Sequence, residues 1–140
     1  MDQYETATQQ VIQLGASDVG VGLNLEMAMG SLIPVNSLDP AADLLADRIG
    51  GVSRVRFAND PAQREFDAVS SKLIGQTKPE NFTLCEKWRR QAKATFEMAK
   101  ATGRGTYFHF EGAPGPGVIE AIERYQARYN VPTTIDTRPW

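Results

Sequence analysis

The sequence predicts a single α/β (α+β) domain in which a mixed central sheet is flanked by helices. Three observations carry this expectation. Short runs of alternating apolar and polar residues follow one another between Ser53 and Pro79, with only turns between them. A long amphipathic helix comes next, and the chain closes with strand, helix and strand. Consecutive strands predict an antiparallel meander, and a strand–helix–strand unit predicts a right-handed crossover; together they make a mixed sheet.

The elements follow in order. Residues 1–16 are polar and rich in Gln and Thr, apart from Val11, Ile12 and Leu14. They suit a short helix, or the tail of a linker from a longer parent chain. The folded domain is expected over residues 17–140. A short helix is expected from Asn24, a suitable N-cap, to just before Pro34. The next helix is better marked: Asp39 caps it, Pro40 fits its first position and Gly50-Gly51 ends it. A strand at Ser53–Phe57 places Val55 and Phe57 on one side and Arg54 and Arg56 on the other. After the turn at Asn59-Asp60-Pro61, residues 64–79 read as two strands joined by a tight turn. Thr83 and Glu86 have the spacing of a capping box, opening a helix that runs to about Thr102. Leu84, Trp88, Ala92, Phe96 and Ala99 share one face of that helix. A strand at Thr106–Glu111 puts Phe108 and Phe110 together. Val118, Ile119, Ile122, Tyr125 and Tyr129 then mark a further helix, and Thr133–Thr137 is the last strand.

Composition narrows the function. A chain of 140 residues suits one compact domain. No apolar run reaches the roughly 20 residues of a membrane span, and no signal peptide opens the chain. Cys85 is the single cysteine, which excludes an intrachain disulfide and a Cys/His zinc cluster; it is expected as a small buried helix residue. The net charge of −2 hides an asymmetry. Residues 1–51 hold seven acids and one base, whereas residues 52–104 hold eleven bases and six acids. A basic block in an acidic protein fits a polyanion footprint, and equally a solvated helix face.

Chemistry concentrates in the two strands at 64–79. Alternation puts Glu65 and Asp67 on one face of the first strand, with Phe66 and Ala68 opposite. Gln76 and Lys78 share a face of the second. If Ser71-Lys72 is a two-residue loop, Asp67 opposes Gln76 and Glu65 opposes Lys78, so all four polar groups converge. Phosphodiester hydrolysis needs an activated water and stabilisation of charge on the phosphate. A hard cation such as Mg²⁺ is held by carboxylate and amide oxygens, here Asp67 and Gln76. Lys78 would orient the attacking water or neutralise the phosphate. On spacing alone the same residues also fit a wet sheet face with a Glu65–Lys78 ion pair.

The segment resembles the PD-(D/E)xK, or restriction-endonuclease-like, superfamily. Asp67 falls at that family's acid, and Gln76-Thr77-Lys78 falls at its Glu-x-Lys or Gln-x-Lys. Further stretches resemble the restriction-endonuclease-fold toxin domains at the C-termini of bacterial polymorphic and contact-dependent growth inhibition toxins. They are Arg48-Ile49-Gly50-Gly51, Arg64 to Val69, Gln76 to Pro79, Arg90 to Phe96 and Tyr107 to Gly112. The resemblance spans roughly residues 38–140. It implies a PD-(D/E)xK core and a metal-dependent nuclease used against competing bacteria. It implies a divalent ion, Mg²⁺ with Mn²⁺ or Zn²⁺ as alternatives, and a tRNA substrate. It also implies a cognate immunity protein and delivery as the C-terminal part of a surface toxin, with action in the target-cell cytoplasm. Residues 1–16 would then be the remnant of the delivery protein. A DNA endonuclease of the same fold, or a non-catalytic member that binds nucleic acid or protein, are the alternatives.

Two features depart from the family pattern. Gln76 replaces the usual Glu and removes one metal charge. The family's further acid on the first core helix is assigned to Glu26, whose side chain is longer than those of Asp43 and Asp47. On the long helix, Arg89, Lys93 and Lys100 share a face, and Arg89, Arg90 and Lys93 are expected to bind phosphates. His109, the only histidine, fits a satisfied polar residue better than a catalytic one. Trp88 and Trp140 fit packing.

Overall fold

Asp39 and Gly50 bracket the first well-marked helix as expected. Asp39 Oδ1 accepts the Ala42 N–H at 3.1 Å, Pro40 occupies the first turn, and Gly50 turns left-handed at φ 73°. At the following Gly51, any Cβ would overlap the Val69 carbonyl, which accounts for the paired glycines. The computed structural model describes residues 10–16 and 29–140. In chain order it contains β1 (Val11–Leu14), β2 (Leu32–Pro34), α1 (Pro40–Ile49), β3 (Val52–Phe57), β4 (Glu65–Val69) and β5 (Leu73–Lys78). Then come α2 (Glu86–Thr102), β6 (Gly105–Phe110), α3 (Val118–Tyr129) and β7 (Thr133–Asp136). None of these helices is long and apolar enough to cross a membrane.

The seven strands form one mixed sheet in the order β1-β7-β6-β5-β4-β3-β2. β3, β4 and β5 are the antiparallel meander, while β5, β6 and β7 run parallel and are linked through α2 and α3. Alternation along β5 separates the two faces. Ile74 joins the main apolar core, which includes Trp88, Phe96 and Phe108. Leu73 packs with Leu45 and Ala46 of α1, and a Cβ at Gly75 would touch Leu45. Helix α1 therefore covers one face of the sheet, and α2 with α3 the other.

Several expectations are corrected. Residues 11–14, expected as a short helix or linker tail, form edge strand β1 antiparallel to β7. Ile12 and Leu14 alternate inward against the main core, a period of two rather than of a helix. The helix expected from Asn24 lies largely outside the described residues, but its last two residues, Leu32 and Ile33, belong to strand β2 (Leu32–Pro34) on β3. The capping box does not form: α2 starts at Glu86, and its N-cap is Cys85, with no side-chain hydrogen bond. Cys85 is consequently exposed rather than buried in a helix.

The β4–β5 register is the expected one. Ala68 opposes Gly75 and Val69 opposes Ile74, joined by the two-residue loop Ser71-Lys72. Ser-Lys is a poor hairpin pair by itself. Ser70 compensates, its Oγ accepting the N–H groups of Lys72 at 3.2 Å and Leu73 at 2.9 Å. Beyond Ala68 the ladder gives way to a side chain: Asp67 Oδ2 accepts the Thr77 N–H at 3.0 Å.

Candidate active site at the end of the hairpin

The opening of the ladder at Asp67 creates a groove of about 620 Å³ between the hairpin and the first half of α2. Asp67 of β4 and Gln76 and Lys78 of β5 line it together. So do Lys87, Arg90, Gln91 and Thr95, which lie on one face of α2 by their three- and four-residue spacing. Arg54, Arg64 and Glu65 complete its polar wall. Five bases and two acids therefore face one concavity, a field suited to a polyanion.

Burial raises the Asp67 carboxyl above the usual carboxylate range, against the opposing pull of the Thr77 N–H and the Lys78 charge. Arg54 donates to Asp67 Oδ1 and to Glu65 Oε1, each at 3.2 Å. Arg54 adopts φ 49°, a left-handed backbone that a non-glycine residue enters at a cost of about 1–3 kcal/mol. Lys78 Nζ lies 5.5 Å from the centre of the Phe82 ring. Gln76 is 7 % exposed; its Nε2 donates to Thr95 Oγ1 at 3.1 Å, while its Oε1 is buried with no hydrogen-bond partner.

That orphaned oxygen tests whether the residues fit a hard cation. A buried carbonyl without a donor is a costly arrangement in a folded chain. A divalent ion takes oxygen ligands of this kind. Asp67, which lines the same groove, would supply the charge, since each carboxylate oxygen keeps a lone pair beyond its present bond. The donor set fits Mg²⁺ or Mn²⁺. No three His, Cys, Asp or Glu residues converge among those described, so the set is a carboxylate and an amide rather than an acidic cluster.

A family comparison matches residues 31–132 to restriction endonuclease fold toxin 3. The chain belongs to that family. The restriction-endonuclease-fold toxin domain so defined is a nuclease-type toxin, and the match contains the whole groove, from Arg54 to Thr95. Strands β1 and β7 lie outside it. No curated protein and no solved structure matches the chain.

The other residues singled out from the sequence fall in different places. Glu26 lies outside the described residues. Asp43 accepts the Ser53 hydroxyl, and Asp47 is exposed on α1. The acid beside α1 whose charge reaches Asp67, and adds to its rise, is Asp39. The helix-cap signal concealed that second role. Of the expected phosphate binders only Arg90 lines the groove. Arg89 and Lys93 sit roughly half a helical turn away, in the row that ends at Lys100, whose Nζ bonds the Tyr129 carbonyl beside α3. Charge counting found that row without knowing which face meets the sheet. Lys87 and Thr95 were missed for the same reason. Arg54, placed by alternation only on the side of β3 away from Val55 and Phe57, was missed as a partner of Asp67, and Glu65 pairs with Arg54 rather than with the expected Lys78.

Proposed function

We propose that this toxin domain is a metal-dependent endoribonuclease that cleaves tRNA, with Asp67 and Gln76 holding a divalent ion and Lys78 as the catalytic amine. One observation carries the reading: an unpartnered buried Gln76 oxygen shares a basic groove with Asp67 and Lys78. When bound, the ion supplies Lewis-acid charge stabilisation at the scissile phosphate. Asp67 and Gln76 fix its place, and the Thr77 N–H holds the Asp67 carboxylate in its orientation. Lys78 reaches the same cavity and is placed to neutralise the phosphate or orient water. Lys87 and Arg90 on the α2 rim track the backbone of the nucleic acid.

The choice of tRNA rests on the resemblance to toxins of contact-dependent growth inhibition systems. The same resemblance supports a cognate immunity protein, delivery as the C-terminal part of a larger surface protein and action in the target-cell cytoplasm. The test incubates purified protein with total tRNA and with plasmid, each with Mg²⁺ and with EDTA. Cleavage of tRNA that EDTA abolishes is the expected result. Cleavage of plasmid alone would replace the substrate with DNA, and cleavage unaffected by EDTA would remove the metal.

A further inference from the structure

A side-chain amide can lie in two orientations that exchange oxygen and nitrogen. Only one of them leaves the Gln76 oxygen without a partner, and the hydrogen bonds around Thr95 decide which. Thr95 Oγ1 lies 2.8 Å from the carbonyl oxygen of Gln91, one turn earlier on α2. A carbonyl only accepts, so the hydroxyl proton is committed there. A hydroxyl carries one proton. Toward Gln76, 3.1 Å away, Thr95 is therefore an acceptor, and the amide must present its NH₂ group. The oxygen is left buried and unpartnered, on a residue that lines the groove. Thr95 is itself 3 % exposed, so its hydroxyl is committed mainly to these two partners.

We propose that Thr95 is a positioning residue: by giving its proton to the α2 backbone, it aims the Gln76 carbonyl oxygen at the divalent ion. This rests on the metal-dependent reading above. It also accounts for glutamine at a position where a carboxylate would serve a cation better. In a Gln76→Glu variant the new carboxylate would set acceptor against acceptor at Thr95, unless Thr95 abandoned the Gln91 carbonyl.

The experiment measures Mn²⁺ affinity by calorimetry and electron paramagnetic resonance for the 140-residue chain and for Thr95→Ser, Thr95→Val and Gln76→Ala. Serine keeps both hydrogen bonds and should bind within about twofold of wild type. Valine keeps the shape and loses both; it should bind about tenfold or more weakly, approaching Gln76→Ala, with an unchanged circular dichroism spectrum. Valine binding as tightly as wild type, while Gln76→Ala is weakened, would overturn the role of Thr95 alone. Wild type that binds no Mn²⁺ would overturn the metal-dependent reading and this inference with it. A second measurement needs no variant to fold. In metal-free wild type, nuclear Overhauser contacts should join the Gln76 Nε2 protons to the Thr95 γ-methyl group, and their absence overturns the assigned orientation.

Discussion

Strand β5 presents polar residues to both faces of the sheet, and the two faces treat them differently. On the α1 side the polar groups around Thr77 form a closed network. Thr77 Oγ1 lies 2.7 Å from His109 Nδ1, and His109 Nε2 lies 2.7 Å from the Arg138 carbonyl. A carbonyl only accepts, so Nε2 carries the ring proton and Nδ1 accepts from Thr77. Beside them, Asp136 is fully buried and accepts from the Tyr107 hydroxyl, from Arg48 and from Arg138. Trp140 closes the network, its ring 4.0 Å from His109 and 4.8 Å from the Arg48 guanidinium. On the α2 side, Gln76 keeps an oxygen without a donor, and Asp67 carries a carboxyl raised by burial. A closed network holds β7 and the segment after it on the sheet. An open one leaves an acceptor unsatisfied, as a ligand site would. A histidine inside a satisfied network is structural, even as the only histidine of a nuclease-fold toxin.

The difference between the faces is tested most directly by setting loss of activity against loss of stability. Asp67→Ala and Lys78→Ala should each lower nuclease turnover by at least about 100-fold while changing the unfolding free energy far less than a substitution at Asp136. Asp136→Ala should do the reverse. It strands the buried Tyr107 hydroxyl and its arginine partners, and should cost about 3–5 kcal/mol in urea unfolding. An Asp136 variant that folds normally but no longer cleaves would move the active site to the other face.

Acid titration of the unfolding free energy separates the faces by its sign. Burial alone would raise Asp136, but hydrogen bonds from Arg138 and Tyr107 hold its carboxyl well below the usual range. Its contribution is therefore complete above the unfolded value of about 3.9 and is lost as pH falls below it. Asp67 is raised, so its ionised form works against the fold, and that loss sets in as pH rises from about 3.9 through its folded value. Asp67→Asn should accordingly be more stable than wild type at neutral pH and equal to it in acid. Burial also lowers His109, so wild type should lose stability as pH falls from about 6.5, a slope that His109→Gln removes.

A smaller effect distinguishes the two faces of α2. Lys87→Ala and Arg90→Ala should weaken substrate binding and each reduce the salt slope by about 0.7–0.9, whereas Arg89→Ala and Lys93→Ala leave it within error. Equal effects from both pairs would mean that the substrate wraps the helix rather than entering the groove. Smallest of all, Trp140→Ala should cost about 0.5–1 kcal/mol through the lost Arg48 contact, with cleavage intact.

Much of this was legible from local pattern. The alternation at 64–78 marked both strands, and the two-residue loop set their register with Ala68 opposite Gly75, beyond which Asp67 and Gln76 line one groove. Helix α1 was legible because Asp39, Pro40 and Gly50 act on their own backbone neighbours. The capping box failed because Glu86 is already the first residue of α2 and Cys85 the N-cap, which leaves Thr83 two residues too early, and spacing alone cannot show where the first helical residue falls. Strand β1 was obscured because four residues at a sheet edge leave too short an alternating pattern, and their pairing with β7 joins opposite ends of the chain.

Residue order alone dictated the hairpin, its register, the basic block and the family, because each depends on neighbours in the chain or on residue identity. Tertiary packing decided which helix face meets the sheet. That choice placed Lys87, Arg90 and Thr95 at the site and turned Arg89 and Lys93 away from it. Packing, too, put Arg54 on Asp67 and enclosed His109. Such partners are set by distant elements meeting around a common core, and no local spacing encodes them.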